Sequence, residues 1–267
     1  PPATVFVRAE PGAALVDGFE TGDGWRLTFD RFVTAIGSVD LDDDPDGPND
    51  SCNAYSNARY DRTFDFTQLE RSKVGLVYGL GRCSVEYRFR APSDDTILGP
   101  GVTEELVTQM RVEASDDYAE SARTSLLVSG EATRGGETKR FSWTFRRGFE
   151  LDRCEAPAGD YLTVVDLGEG DRVDFTVVVL AEELFRVAPS DESPVEFDRF
   201  AAADADGDGD ITFEELALVE APDITLYVDP EDLGGDDDDD DPVELPETMA
   251  DLVYELNLPR VTRVRLS

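Results

Sequence analysis

Residues 204–215 read D-A-D-G-D-G-D-I-T-F-E-E. Carboxylates recur at alternate positions, Asp204, Asp206, Asp208 and Asp210, and Glu215 follows at the end of the stretch. A hard divalent cation such as calcium takes six to eight oxygens, some from a bidentate carboxylate. A twelve-residue loop can supply them if it turns sharply in the middle. Gly209 stands at the sixth position, where a residue without a Cβ eases that turn. On this reading Asp204, Asp206 and Asp208 offer carboxylates from positions 1, 3 and 5, and Asp210 offers its backbone carbonyl from position 7. Ile211 packs inward, Thr212 acts through a water, and Glu215 closes the shell as the bidentate ligand.

Such a loop needs an element on each side. Residues 194–203 and 212–220 both read as helical, with Phe197 and Phe200 on one face of the entering segment and Phe213 and Leu216 on one face of the exiting one. With these flanks, residues 195–220 resemble the EF-hand. The resemblance implies Ca2+ as the cofactor. EF-hands usually pair through position 8, and no second complete copy occurs in the chain. The lone loop must therefore be braced by the chain's own β part or by another molecule. That makes it a structural clip rather than a sensor opening a Met-rich groove, since Met110 and Met249 are the only methionines.

A second stretch gives D-x-D-x-D-G through Asp42, Asp44, Asp46 and Gly47. Its twelfth position is Asn53 and no helix flanks it. It reads either as a helix-free calcium loop, closed by Asn49, Asp50 or a distant carboxylate, or as a solvated turn. The six aspartates Asp236 to Asp241 read as a weak counter-ion sponge.

The scaffold for these loops reads as β. Trp25, Leu27 and Phe29 alternate with Arg26, Thr28 and Asp30; Val85, Tyr87 and Phe89 with Glu86, Arg88 and Arg90; Phe141, Trp143 and Phe145 with Ser142, Thr144 and Arg146. Residues 4–9 and 172–180 read as further strands, and 74–78, 106–112, 125–131 and 161–167 as candidates. Many short strands of period two predict a mainly β chain, a β-sandwich with a C-terminal single EF-hand and a short extended tail. The expected organisation is a β domain over 1–188, a linker at 189–194 opening a helix-loop-helix over 189–222, and an acidic tail over 223–267. That tail holds short strands, at 224–228 and 260–266, packing back on the β domain.

Composition removes several functions. The chain has 267 residues, a net charge of −36 and no histidine. Without histidine there is no Ser-His-Asp or Cys-His catalysis and no imidazole metal site. The negative field disfavours nucleic acid and anionic membranes, and no apolar run is long enough to span a bilayer. Lys73 and Lys139 are the only lysines; with so many aspartates this favours a halophilic or high-GC bacterial source. Three cysteines allow one disulfide. Cys52–Cys83 is the expected pair, because both flank β-like segments, with three reduced core cysteines as the alternative. An oxidised pair implies export, and an exported chain would have lost its signal peptide.

The segments 25–41, 80–89, 99–110, 139–146 and the 204–215 loop together resemble secreted β-rich proteins of predatory and marine deltaproteobacteria that end in one EF-hand. More distantly, the β part is similar to the methanobactin-partner type of extracellular copper-binding domain. That family leans on histidine, so copper does not carry over. The reading that follows is a non-catalytic extracellular or cell-surface protein stabilised by calcium, with calcium, copies of itself or another surface protein as partners. One alternative is a filament or surface-layer subunit assembled by β-strand addition with calcium bridging. Another is a carbohydrate-active protein using two carboxylates, though no carboxylate pair stands out, and Trp25 and Trp143 sit in core-like strand patterns.

Overall fold

A computed structural model describes residues 1–44, 47–56, 58–151, 164–228 and 245–266. Its strands, in chain order, are β1 (Ala3–Pro11), β2 (Phe19–Glu20), β3 (Arg26–Asp43), β4 (Cys52–Ser56), β5 (Ala58–Asp65), β6 (Ser72–Arg90), β7 (Ile97–Leu98), β8 (Leu126–Arg134), β9 (Glu137–Phe145), β10 (Phe149–Leu151), β11 (Val164–Leu167), β12 (Arg172–Val179), β13 (Asp210–Ile211) and β14 (Thr262–Leu266). All 14 belong to one curled, mostly antiparallel sheet, whose main path runs β13-β9-β8-β3-β6-β1-β12-β14. The chain is therefore mainly β, as the alternation predicts. Its short helices are α1 (Ala13–Asp17), α2 (Glu104–Met110), α3 (Asp198–Ala202), α4 (Phe213–Leu216) and α5 (Met249–Asp251).

Two strands shape the curl. β3 and β6 run for 18 and 19 residues, against about 5–6 for an ordinary strand. Register shifts interrupt β3 at Phe29/Arg31 and again at Gly37/Asp40. Such bulges bend a strand and sharpen its twist, so β3 serves β8 with its first half and β5 and β6 with its second. Gly37 lies at the tightest point: a Cβ there would sit 2.3 Å from the Cα of Asp61, so only glycine lets β3 and β5 come this close. β1 is paired on both edges, antiparallel to β6 and parallel to β12. β14 closes the other end of the path on β12.

The expected apolar faces all point inward. Trp25, Leu27, Val85, Tyr87, Phe89, Phe141, Trp143 and Phe145 are buried in one continuous core. The cysteine pairing is also as expected: Cys52 and Cys83 form a disulfide with Cα atoms 4.8 Å apart, tying β4 to β6.

Three local expectations differ. Residues 106–112 were expected to be a strand, but α2 occupies 104–110. Thr103 caps it by accepting from Leu106 N at 3.2 Å, Glu104 and Glu105 fill its first turn, and Val107 and Met110 share its buried face. The i, i+3 spacing of those two outweighed the local alternation. The segment 189–194, read as a linker, carries no helix or strand and is held by ion pairs. Glu183, buried, takes Arg186 at 2.6 Å and Arg260 at 3.3 Å; Arg186 donates to Ser193 O at 2.6 Å, and Asp191 pairs with Arg260 and Arg263. Residues 224–226 form a 3-10 turn, not an extended piece. The helices flanking the aspartate loop are short, 5 residues in α3 and 4 in α4. Pro45, Asp46, Cys154, residues 161–163 and the tract Asp236 to Asp241 lie outside the described residues.

Candidate metal centre

The aspartate loop sits on the edge of the sheet, at β9. β13 lies inside the loop and pairs in parallel with β9, matching Asp210 to Arg140 and Ile211 to Phe141. Arg140 N donates to Gly209 O at 2.8 Å, and the Trp143 indole donates to Ile211 O at 2.9 Å. A strand of the sheet thus braces the loop along Asp210 and Ile211. Beneath it, Phe197, Phe200, Ile211 and Leu216 are fully buried. Phe200 stacks on Trp143 with ring centroids 5.9 Å apart and meets Phe185 at 5.1 Å, while Phe213 packs edge-on against Phe145 at 5.4 Å. Short helices suffice because these rings share the sheet's own core, so the fold does not depend on intrinsic helix stability.

Within the loop, Gly207 and Gly209 adopt φ of 75° and 88°, the left-handed region that glycine enters without penalty. The turn gathers carboxylate oxygens of Asp204, Asp206 and Asp208 to within 4.8 Å of one another. Asp206 Oδ1 accepts from Asp208 N at 3.1 Å, and Asp208 Oδ1 from Asp210 N at 2.7 Å. Asp204 is the innermost of the three, with its side chain 0% exposed. Its Oδ2 accepts from Lys139 Nζ at 2.6 Å and from Gly209 N at 3.1 Å. Its Oδ1 is buried and makes no hydrogen bond of good geometry, though the Gly207 N–H lies near enough to favour the charged carboxylate; such an oxygen is costly unless something positive meets it.

Asp210 and Glu215 do not join the close triad. The Asp210 carboxylate pairs with Arg140 at 2.6 Å, which is compatible with a residue that contributes only its carbonyl. Glu215 Oε2 accepts from Thr212 N at 2.9 Å and from Thr212 Oγ1 at 3.0 Å, while Oε1 accepts from Ala205 N at 3.3 Å. Thr212 and Glu215 therefore form a capping box at the start of α4. The same contacts bring the Glu215 carboxylate back across the loop to the residue after Asp204. The T-F-E-E spelling carries both meanings, and the sequence reading used only the ligand one.

Electrostatics follow from these pairs. The Lys139 ammonium holds the Asp204 carboxyl below the usual carboxylate range, and Asp204 raises Lys139 in return. Arg140 does the same to Asp210. Three residues here were missed by the sequence reading. Lys139 and Arg140 come from a distant strand. Asp23, in the β2–β3 turn, accepts from Phe197 N at 2.7 Å and Asp198 N at 2.6 Å. It caps α3, whose own N-cap residue, Phe197, cannot. The T-G-D-G-W spelling around Asp23 marks a turn aspartate, but nothing local says which helix it caps.

The second acidic stretch is organised differently. Asp42, Asp43 and Asp44 line a cavity of about 280 Å³ with Gly47, Asn49, Ser84 and Glu86. Asp43 accepts from Cys52 N at 2.7 Å and Asp50 N at 3.2 Å, and the Cys52 N–H holds its carboxyl below the usual range. The buried Asp44 carboxylate pairs with Arg82. Among the described residues the only close carboxylate triad is Asp204, Asp206 and Asp208.

The donor set at 204–215 is all oxygen, with no imidazole in the chain and no thiol in the loop. With the buried Asp204 carboxylate among its donors it suits a hard cation rather than zinc or copper. No family model, curated protein or solved structure matches this chain.

Proposed function

We propose that this is a non-catalytic, exported calcium-binding β protein in which the ion at 204–215 locks the helix-loop-helix onto the edge of the sheet. The observation that carries the reading is Asp204, whose side chain is buried with one oxygen unbonded and whose carboxylate lies within 4.8 Å of those of Asp206 and Asp208. Asp204, Asp206 and Asp208 would contribute carboxylates, Asp210 its carbonyl and Glu215 a carboxylate released from its capping role. Calcium supplies the positive charge that the crowded carboxylates need. Because both ends of the loop are anchored in the core, binding energy becomes folding energy. The Cys52–Cys83 disulfide supports export, since such bonds persist in oxidising compartments. Among the described residues no helix is long and apolar enough to cross a membrane. Assembly by strand addition cannot use β1, enclosed between β6 and β12, and would draw on β14 at the end of the sheet path.

Calorimetric titration with Ca2+, paired with melting curves in calcium and in chelator, tests this. One ion should bind at 204–215, and calcium at 100 times its dissociation constant should stabilise the fold by about 2.7 kcal/mol. Asp204→Asn should abolish both effects, while Asp42→Asn should leave them intact. Equal melting with and without chelator would sink the proposal.

A further inference from the structure

Lys139 is one of two lysines in the chain, and it sits on the innermost carboxylate of the loop. Its ammonium lies 2.6 Å from Asp204 Oδ2 and 3.4 Å from Glu137 Oε1, with the side chain 14% exposed. Its neighbour Arg140 pairs with Asp210. The two cations of β9 therefore face the loop in different ways. Arg140 holds a side chain that the metal site does not use. Lys139 holds one that it does.

We propose that Lys139 is a tethered rival cation that occupies the loop in the ion-free protein and is displaced by calcium, so that it sets the loop's calcium affinity. This rests on the calcium reading above. Three features support it. Lysine is a compact point charge on a flexible stem, able to leave one oxygen for another, whereas a guanidinium grips in a fixed fork. Glu137, half exposed, already lies near the ammonium and can keep it when Asp204 turns to the ion. The ammonium is also the compensation that lets Asp204 stay charged and buried without metal. Lys139 thus stabilises the ion-free loop and opposes the ion. The consequence is a lowered affinity suited to a calcium-rich surrounding, with a loop that stays folded when calcium is scarce.

The first test compares calcium titrations of the wild type, Lys139→Met and Lys139→Arg. Removing a positive charge next to a divalent ion should tighten binding by about ten-fold or more, and Lys139→Met should melt lower than wild type in chelator. Lys139→Arg keeps the charge and should keep weak binding. Unchanged or weaker binding in Lys139→Met overturns the inference while leaving the calcium reading standing. Absence of binding in both proteins overturns the two together, and binding only in Lys139→Met supports displacement strongly. A second measurement needs no variant. Acylation of the wild type by an amine-reactive ester, read by mass spectrometry, should speed up at Lys139 when Ca2+ is added, with the exposed Lys73 as internal reference. A rate at Lys139 that calcium leaves constant or lowers overturns the inference.

Discussion

The stretches 204–209 and 42–47 share one spelling, D-x-D-x-D-G, and their described carboxylates are held in different ways. In the first, three carboxylates bring oxygens within 4.8 Å of one another, and the buried Asp204 among them keeps one oxygen without a hydrogen bond. In the second, Asp43 is spent on the backbone N–H groups of Asp50 and Cys52, and Asp44 on Arg82. The difference lies in what holds each stretch. Apolar residues on both sides of 204–215 are clamped in the core, so the chain between them must turn, and left-handed glycines turn it. Asp42 and Asp43 still belong to β3 and pair with Ser84 and Cys83 of β6. An extended backbone spreads its residues by about 3.3 Å each and leaves them to satisfy nearby donors. Among the described residues, like spacing goes with different partners, and the flanks of the two stretches are anchored differently.

That contrast can be broken at either end. The largest effect is expected from Phe200→Ala, which empties the space between Trp143 and Phe185 and should cost about 3–5 kcal/mol. By loosening the clamp it should also weaken calcium binding. Denaturant unfolding together with titration checks both; a destabilised variant with wild-type affinity would mean that the loop shapes itself. Next comes Cys52→Ser with Cys83→Ser. Opening a loop with a sequence separation of 31 should cost roughly 3–4 kcal/mol. The damage should centre on the 42–52 turn, so calcium affinity at 204–215 should hold in the folded variant. Affinity lost along with the disulfide would show the two acidic regions to be coupled.

The smallest effect concerns the turn that leads into the loop. The Trp25 indole N–H, at 3.0 Å, and then Arg134 hold the Asp198 carboxyl below its ordinary range. A carboxylate whose folded value is depressed adds stability above its unfolded value, near 3.8, and loses it as pH falls through the folded value. The gap in melting temperature between wild type and Asp198→Asn should therefore be full at pH 5 and close as pH drops below about 4. A gap that persists at low pH would assign the effect to packing of Trp25 rather than to charge.

Parts of this molecule were legible because their determinants are local. The period-two faces around Trp25, Val85 and Phe141 need only the pleat of a strand. The pairing of Cys52 with Cys83 follows from two β-like flanks. The α2 helix has local signals too, in Thr103, Glu104 and Glu105, but the alternation that follows them points to a strand. The partners of the aspartate loop are of another kind. Asp23 caps a helix 174 residues further on, and Lys139 meets Asp204 across 65 residues. Only the course of β9 beside the loop brings Lys139 there.

The amino-acid order alone determined which atoms this chain can offer: an all-oxygen ligand set on a glycine turn, no imidazole, and apolar stripes that must be buried as sheet. Tertiary structure decided which strand braces the aspartate loop, which donors hold Asp43 and Asp44, and which cation stands beside Asp204. The reason is physical. Side-chain chemistry and backbone period belong to neighbours along the chain, whereas charge convergence depends on distances between segments, and those are set only when the core closes over both.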